Sequence, residues 1–587
     1  MDTHYTAERN AQIVLYLLKT NNIKKVVASP GATNITLVAS MQQDPWFEMY
    51  SAADERSAAY IACGLAAESG EPVVLSCTGA TASRNYIPGL TEAFYRKLPI
   101  IAITATQASG RIGSYTPQVI DRTQIQHDIA VYSTTIRTIK DDEDESEAEV
   151  KANKAMYYLR KYGGGPVHIN LETQYASDFS IKSLPSCRVI RFYDTEDELP
   201  KIDAQNVGIF IGTHAVMSEE ETELIDRFCA QYNGAVFCDH TSNYHGKYKV
   251  EPSILGQQEF IPDTYKMDLV IYIGYVSAGY PAMAICNRCK RTWRVNKDGE
   301  VRNFFGKTNA VFQMSENFFF RHYAPANVSE AKTELRDKYR NEIGHLLSLV
   351  PEDLPFSNGW IAKTISKEIP DNSVMHFGIL NSIRHWDMFP MKETVNGYVN
   401  AGGFGIDGCM SSMIGASLVH PDKLYFLVIG DLAFFYDLNS IANRHVGHNV
   451  RILLVNNGKG TEFRNYNHKG AQFGDDADEY IAAARHYGNK SHKLIKHFAE
   501  DLGYEYLTAS NKDEFMKAYP AFVNPAISHS MIFEVFTNNE DESNALYMLN
   551  HLIKPTAKEQ AIKDAKATVK KVVGKEGVKA IKKFLGK

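Results

Sequence analysis

Short apolar runs recur along the chain, and most of them stop at Gly, Ser, Thr or Asn. In the first third, 24–28, 46–51, 73–76 and 100–104 read as strands. Between them lie an amphipathic helix at 7–20 and a helix of small residues at 57–68, opened by Asp54-Glu55-Arg56. The pattern repeats at 207–212, 234–238 and 269–274, and again at 374–377, 424–429, 452–455 and 531–537. Strands that are apolar throughout and alternate with helices predict parallel sheets covered on both faces, with loops gathered on one rim. The architecture implied is α/β, with three doubly wound parallel-sheet domains. Their expected bounds are 1–185, 190–345 and 355–553, followed by a tail at 554–587, and 587 residues suffice for them.

Composition changes this picture little. Hydrophobic residues make up 44% of the chain and the formal net charge is −6, which gives no footprint for nucleic acid. Eight scattered cysteines, mostly inside apolar runs, suit a reduced cytoplasmic protein. Cys286 and Cys289 form one CxxC with no second pair to complete a zinc site. The N-terminus shows no signal peptide pattern, and no apolar run is long enough to span a bilayer. The acid-rich stretch 140–160 reads as a helix with a solvated face, and Arg288, Lys290, Arg291 and Arg294 as a solvated loop. The tail carries eleven lysines against three acids, with apolar residues at roughly helical spacing. It reads either as a frayed basic helix or as an amphipathic helix in peripheral contact with an anionic inner membrane face.

The densest chemistry lies between Leu424 and Gly460. An apolar strand runs into Gly430-Asp431, a helix follows, and a second apolar strand ends in Asn456-Asn457-Gly458. A strand–helix–strand crossover makes the two strands parallel and sets their carboxyl ends side by side. Asp431 and Asn457 are then placed at one sheet edge, where open α/β folds bind ligands. A carboxylate, an amide oxygen and a backbone carbonyl suit a hard divalent cation, and the helix start after Asp431 offers N–H donors to a phosphate. In the first domain Glu55 sits among Ala52, Ala53, Ala58 and Ala59, where a carboxyl group is expected to be partly desolvated. A plain helix-start acid is the other reading of Glu55.

The Gly-Asp-x…Asn-Asn run resembles the cofactor signature of the thiamine diphosphate enzymes, with Leu432 where most members have Gly. The segments SPGATNITLV, DERSAAYIACGLA and CTGATASRNYIPGLTEAFYRKLPIIAITA resemble the pyrimidine-binding domain of the same family. The resemblance extends in order over nearly all of residues 5–550. It implies a fold of the thiamine diphosphate-binding type, with a pyrimidine-binding first domain, a central domain and a diphosphate- and metal-binding third domain. The implied metal ligands are Asp431, Asn457 and the carbonyl of Lys459, holding Mg2+ or another divalent cation. The implied cofactor contacts are Pro30, Gly31, Glu55, Thr78, Asn85, Asn381, Ser382, Gly405, Ile406, Asp431, Leu432, Ala433, Asn457 and Lys459. Glu55, Gln118 and Ile406 carry the implied catalytic roles. Because the family's two half-sites come from different subunits, the resemblance also implies a homodimer or homotetramer.

Asn400-Ala401-Gly402-Gly403-Phe404-Gly405-Ile406-Asp407-Gly408 resembles one branch in particular, the 2-succinyl-5-enolpyruvyl-6-hydroxy-3-cyclohexene-1-carboxylate synthases. Several substrate arginines of that branch are replaced here. Thr33, Thr106-Gln107 and Ala401 stand in such positions, and Arg384 is out of step with another. Losing bidentate carboxylate donors is not a conservative change. The expected activity is decarboxylation of a 2-oxo acid, pyruvate-like rather than dicarboxylic, with transfer of the acyl unit to a polar acceptor such as a sugar. The alternatives are a simple decarboxylase releasing an aldehyde and a catalytically silent scaffold.

Overall fold

The computed structural model describes residues 4–262, 264–486 and 491–554, so the tail and its expected membrane helix lie outside the described residues. The strands are β1 Lys25–Ala28, β2 Glu48–Ser51, β3 Val73–Cys77, β4 Ile100–Thr106, β5 Tyr132–Ile136, β6 Val167–Glu172, β7 Arg191–Tyr193, β8 Val207–Ile211, β9 Gly234–Phe237, β10 Lys249–Val250, β11 Met267–Ile273, β12 Cys289–Asn296, β13 Thr308–Gln313, β14 Val374–Phe377, β15 Asn396–Val399, β16 Tyr425–Gly430, β17 Val450–Asn456, β18 Glu505–Ala509 and β19 Met531–Phe536.

They form three parallel sheets, and two of these are wound alike. The first has the order β2-β1-β3-β4-β6-β5 and the third β15-β14-β16-β17-β19-β18. Renumbered within its own sheet, each reads 2-1-3-4-6-5. In both, the order reverses between the first and third strands, the switch point beside which ligands bind in open sheets.

The chain divides into two compact units. One holds the described residues up to Leu199 together with Lys297–Gln313, and contains the first sheet and the β7–β13 pair. The other holds Pro200–Asn296 and the described residues from Met314 onward. It contains β10-β9-β8-β11-β12 of the middle sheet and the whole third sheet.

Local chemistry explains the elements that carry the rims. β16 (YFLVIG) and β17 (VRILLVN) are buried nearly throughout, as strands covered by helices on both faces must be. The helix Glu55–Ser69 starts where the Asp54 carboxylate accepts the backbone N–H groups of Arg56 and Ser57, and stops at Gly70 with φ +68°. It lies so close to the helix Ile87–Tyr95 that a Cβ at Gly89 would come 2.4 Å from the Ala59 Cβ. The acid-rich segment is the helix Asp142–Tyr158, capped by Asp141.

One expectation is overturned. Lys290, Arg291 and Arg294 are not in a loop, because residues 289–296 form strand β12, and only Arg288 sits in the turn before it. Arg294 is buried against the Tyr272 ring and donates to the Tyr272 and Gly274 carbonyls at 3.1 and 2.6 Å. Arg288 and Arg291 donate to the Pro262 and Asp203 carbonyls at 2.8 and 2.6 Å. The three arginines satisfy backbone carbonyls, while Lys290 stays exposed and pairs with Asp268 at 2.7 Å, a division that a charge run does not reveal. None of the eight cysteines forms a disulfide. No helix among the described residues is long and apolar enough to cross a membrane.

The close helix crossing at Gly89 yields a direct check. Gly89→Ala is expected to destabilise the first unit by about 1–3 kcal/mol through overpacking against Ala59, seen as a lowered melting temperature. An unchanged melting temperature would show that the helices part freely.

Candidate functional site

In the third sheet, Gly430 of β16 lies beside Val455 of β17 in parallel register, so the residues that follow each strand share one rim. Asp431 is buried there, only 3% exposed, at the start of the short helix Asp431–Tyr436. Its carboxylate accepts backbone N–H groups of Leu432 and Gly458, and no cationic side chain is among the groups acting on it. Burial lifts it to about 7; the hydrogen bonds work against this, and the neighbouring Glu534 carboxylate adds to it.

The two asparagines after β17 have different jobs. The Asn456 amide donates to the Glu534 Oε1 at 2.7 Å, while the other Glu534 oxygen accepts the Tyr506 hydroxyl at 2.7 Å. The Asn457 Oδ1 is buried and has no hydrogen-bond partner in the protein. The Lys459 ammonium is drawn away to Asp478 at 2.5 Å, and its carbonyl accepts the Thr461 N–H at 2.9 Å and, at a longer 3.4 Å, the Thr461 hydroxyl. An uncompensated carboxylate, an orphaned amide oxygen and a carbonyl are hard oxygen donors, and they fit a divalent cation. Glu534 went unnoticed in the sequence, although a lone acid inside the apolar run MIFEVF was a signal.

Across the β14–β16 switch point, Ser382 is buried under the turn that follows β14. The Asn381 Oδ1 accepts from Arg384 at 3.3 Å and from Asn465 at 3.2 Å. Ile406, beside Gly405, packs half-buried against the core that contains Ile429, Ala433 and Phe434. Phe404 at φ +53° and Gly408 at φ +75° bend this loop.

The first sheet presents its own rim. Gly31 follows β1 so closely packed on the residue after β3 that a Cβ would lie 2.3 Å from the Thr78 Cβ, so only glycine fits. Pro30 beside it is exposed. Glu55 is half-buried and accepts the Asn85 amide at 3.3 Å. The Gln118 side chain is exposed, at φ +65°, and its backbone carbonyl lies over Gly79, where a Cβ would approach it to 2.8 Å. Beneath this loop, Arg122 is buried and donates to the Ala105 carbonyl at 3.1 Å, a residue that sequence reasoning passed over.

Ala80 after β3 (φ 53°, ψ −125°) and Leu380 after β14 (φ 63°, ψ −117°) occupy almost the same strained backbone region. Both sit immediately before a short helix on a switch-point rim, where strain marks a functional constraint.

The replaced arginine positions are accounted for one by one. Thr33 is buried and exchanges a 2.6 Å hydrogen bond with the Thr78 hydroxyl, so it is packing and not a substrate contact. The Gln107 amide is held by Tyr175 and Arg111. Ala401 is buried. Arg384 makes a two-pronged pair with Glu462, at 2.5 and 2.9 Å.

Residues 9–125 match the model of the thiamine pyrophosphate enzyme N-terminal TPP binding domain. Over 573 residues the chain is 28% identical to the 2-succinyl-5-enolpyruvyl-6-hydroxy-3-cyclohexene-1-carboxylate synthase of Bacteroides thetaiotaomicron, covering 94% of this chain and 100% of that protein. The synthases of the same name from Flavobacterium psychrophilum and Porphyromonas gingivalis are each 25% identical. They cover 92% and 89% of this chain and 98% and 93% of their own lengths.

The raised Asp431 carboxyl makes a pH-dependent prediction. A buried acid titrating near 7 leaves folding unpenalised below about pH 4 and destabilises the cation-free protein as pH rises toward 7. Without divalent cation, Asp431→Asn is therefore expected to melt higher than the parent at pH 8, with a smaller gap at pH 5. Mg2+ with thiamine diphosphate should raise the melting temperature of the parent and not that of the variant.

Proposed function

Starting from a chain that is a thiamine diphosphate enzyme similar along its length to the 2-succinyl-5-enolpyruvyl-6-hydroxy-3-cyclohexene-1-carboxylate synthases, we propose that it decarboxylates a 2-oxo acid and joins the acyl unit to an acceptor. The observation that carries the site assignment is the pairing of buried Asp431 with the orphaned Asn457 Oδ1 on one sheet rim. Asp431, Asn457 and the Lys459 carbonyl hold a divalent cation, Mg2+ in the simplest case, and through it the diphosphate. Leu432, Ala433, Asn381, Ser382 and Gly405 shape the surrounding pocket. In this reading Pro30, Gly31, Thr78 and Asn85 surround the aminopyrimidine, and two copies of the chain complete each site.

When bound, thiamine diphosphate supplies the acidic carbon and the electron sink for decarboxylation. The chain's own residues do the rest. Glu55 would hold a proton toward the pyrimidine ring when the coenzyme is bound, and the Asn85 amide donates to its carboxylate at 3.3 Å. Ile406, packed half-buried against the core of the third sheet, would line the coenzyme's position. Gln118, displayed on a strained loop, faces the substrate side. The absence of arginine at Thr33, Gln107 and Ala401 favours a monocarboxylic, pyruvate-like donor over a dicarboxylate.

Incubation with thiamine diphosphate, Mg2+ and a panel of 2-oxo acids, with products identified by mass, tests the assignment. Absence of carbon dioxide release from every acid, together with no coenzyme binding by calorimetry, would overturn it. Glu55→Gln is expected to lose about 10²-fold or more in turnover, the usual scale for a removed acid–base group, while still binding Mg2+ and diphosphate. Unchanged turnover would remove Glu55 from the mechanism.

A further inference from the structure

A cleft of about 290 Å³ opens in the second unit next to the residues assigned to the cofactor, and its chemistry describes an occupant. Its wall begins three residues past Lys459, at Glu462, and runs through Asn465 to His468. The lining also includes Arg384, one turn past Asn381. Asn381 ties the two together, its Oδ1 accepting from both Arg384 and Asn465.

The charge in this cleft cancels. Both guanidinium nitrogens of Arg384 that could grip a carboxylate are spent on the two oxygens of Glu462, at 2.5 and 2.9 Å. The two side chains are 18% and 15% exposed, so an incoming anion would have to displace Glu462 and leave it half-buried without a partner. The His468 Nδ1 is already used to accept the Gly470 N–H at 2.9 Å. The Asn465 amide nitrogen is committed to Asn381 and Glu462, and what remains for a ligand is neutral: the amide of Asn467 and the rings of Tyr280, Tyr466 and Tyr547, each about half exposed. Two of these rings are held in place. The Tyr466 hydroxyl donates to the Asn544 Oδ1 at 2.7 Å, and Tyr547 stacks on His551 at 3.9 Å between ring centres. Rigid aromatic faces with amide donors and acceptors suit a compound that combines C–H faces with many hydroxyl groups.

We infer that this cleft binds the acceptor, and that the acceptor is an uncharged, polyhydroxylated aldehyde or ketone, a sugar-like compound without a carboxylate. The inference rests on the carboligase reading above. The carboxyl carbon of the 2-oxo acid leaves as carbon dioxide when its bond to the keto carbon breaks. The keto carbon then bonds to the acceptor's carbonyl carbon, and the acceptor oxygen takes up one proton. The product is an α-hydroxy ketone, with no oxidant or reductant consumed. Glu462 is the specificity residue, because it withdraws from acceptors the one guanidinium that lines the cleft.

The test compares two aldehydes of similar size, D-erythrose and succinic semialdehyde, on the full chain with thiamine diphosphate, Mg2+ and pyruvate. Ligand-observed NMR reads binding, and mass spectrometry reads the ketol. The parent protein is expected to bind and ligate D-erythrose in preference to succinic semialdehyde. Glu462→Gln, by freeing Arg384, is expected to shift that preference toward succinic semialdehyde by about tenfold, the scale of one charge-assisted contact. Where that variant does not fold, Arg384→Met takes its place and should keep D-erythrose binding, since the sugar needs no guanidinium. A parent that prefers succinic semialdehyde, a Glu462→Gln ratio equal to the parent's, or loss of D-erythrose binding in Arg384→Met would each overturn the inference. Failure to release carbon dioxide would overturn the carboligase reading and the acceptor role with it, while the binding contrast by itself decides what the cleft accepts.

Discussion

A carboxylate buried at the end of a parallel strand with no cation beside it is an energetic debt, and the surroundings of Asp431 are arranged around it. Three backbone N–H groups, its own and those of Leu432 and Gly458, point at the carboxylate and recover part of the desolvation cost. Glu534 is held nearby by Asn456 and Tyr506, so the rim stays electronegative instead of being neutralised by the protein itself. Lys459, whose ammonium could have supplied the charge, is pinned to Asp478.

The same winding occurs in the first and third sheets, and this accounts for where the chemistry lies. In each sheet the crevice between the first and third strands is the one place where successive helices depart to opposite faces, leaving strand ends uncovered. Gly31 and Thr78 occupy it in one sheet, Ser382 and Asp431 in the other. Both crevices are followed by a non-glycine residue in a backbone region that L-residues avoid, Ala80 and Leu380, at a cost on the order of 1–3 kcal/mol each. Strain repeated at equivalent positions of two sheets is hard to assign to packing alone. It fixes the path of the chain where a ligand must meet the backbone closely.

Arginine is used sparingly where substrates would meet it. Arg294, Arg288 and Arg291 bind loop carbonyls in the middle sheet, Arg122 lies beneath the Gln118 loop, and Arg384 is closed by Glu462. Guanidinium groups held in this way brace loops instead of recruiting anions.

The sequence by itself determined most of the strands that are apolar throughout, their parallel pairing and the meeting of Asp431 with the Asn457 turn. A continuous apolar run followed by a crossover helix admits little else. It did not reveal β5, β15 or β18, which lie at sheet edges and mix polar with apolar residues, so their periodicity is weak. Nor did it reveal β6, where His168 breaks the apolar run yet is buried between the Thr104 and Ser133 hydroxyls. Only tertiary structure decided which asparagine keeps a free oxygen, that Thr33 is walled in, and that Glu462 cancels Arg384. Those outcomes depend on partners far away in sequence: Glu534 for Asn456, Thr78 for Thr33, and a residue 78 positions on for Arg384. Burial and pairing at such distances are properties of the folded chain, and no local pattern encodes them.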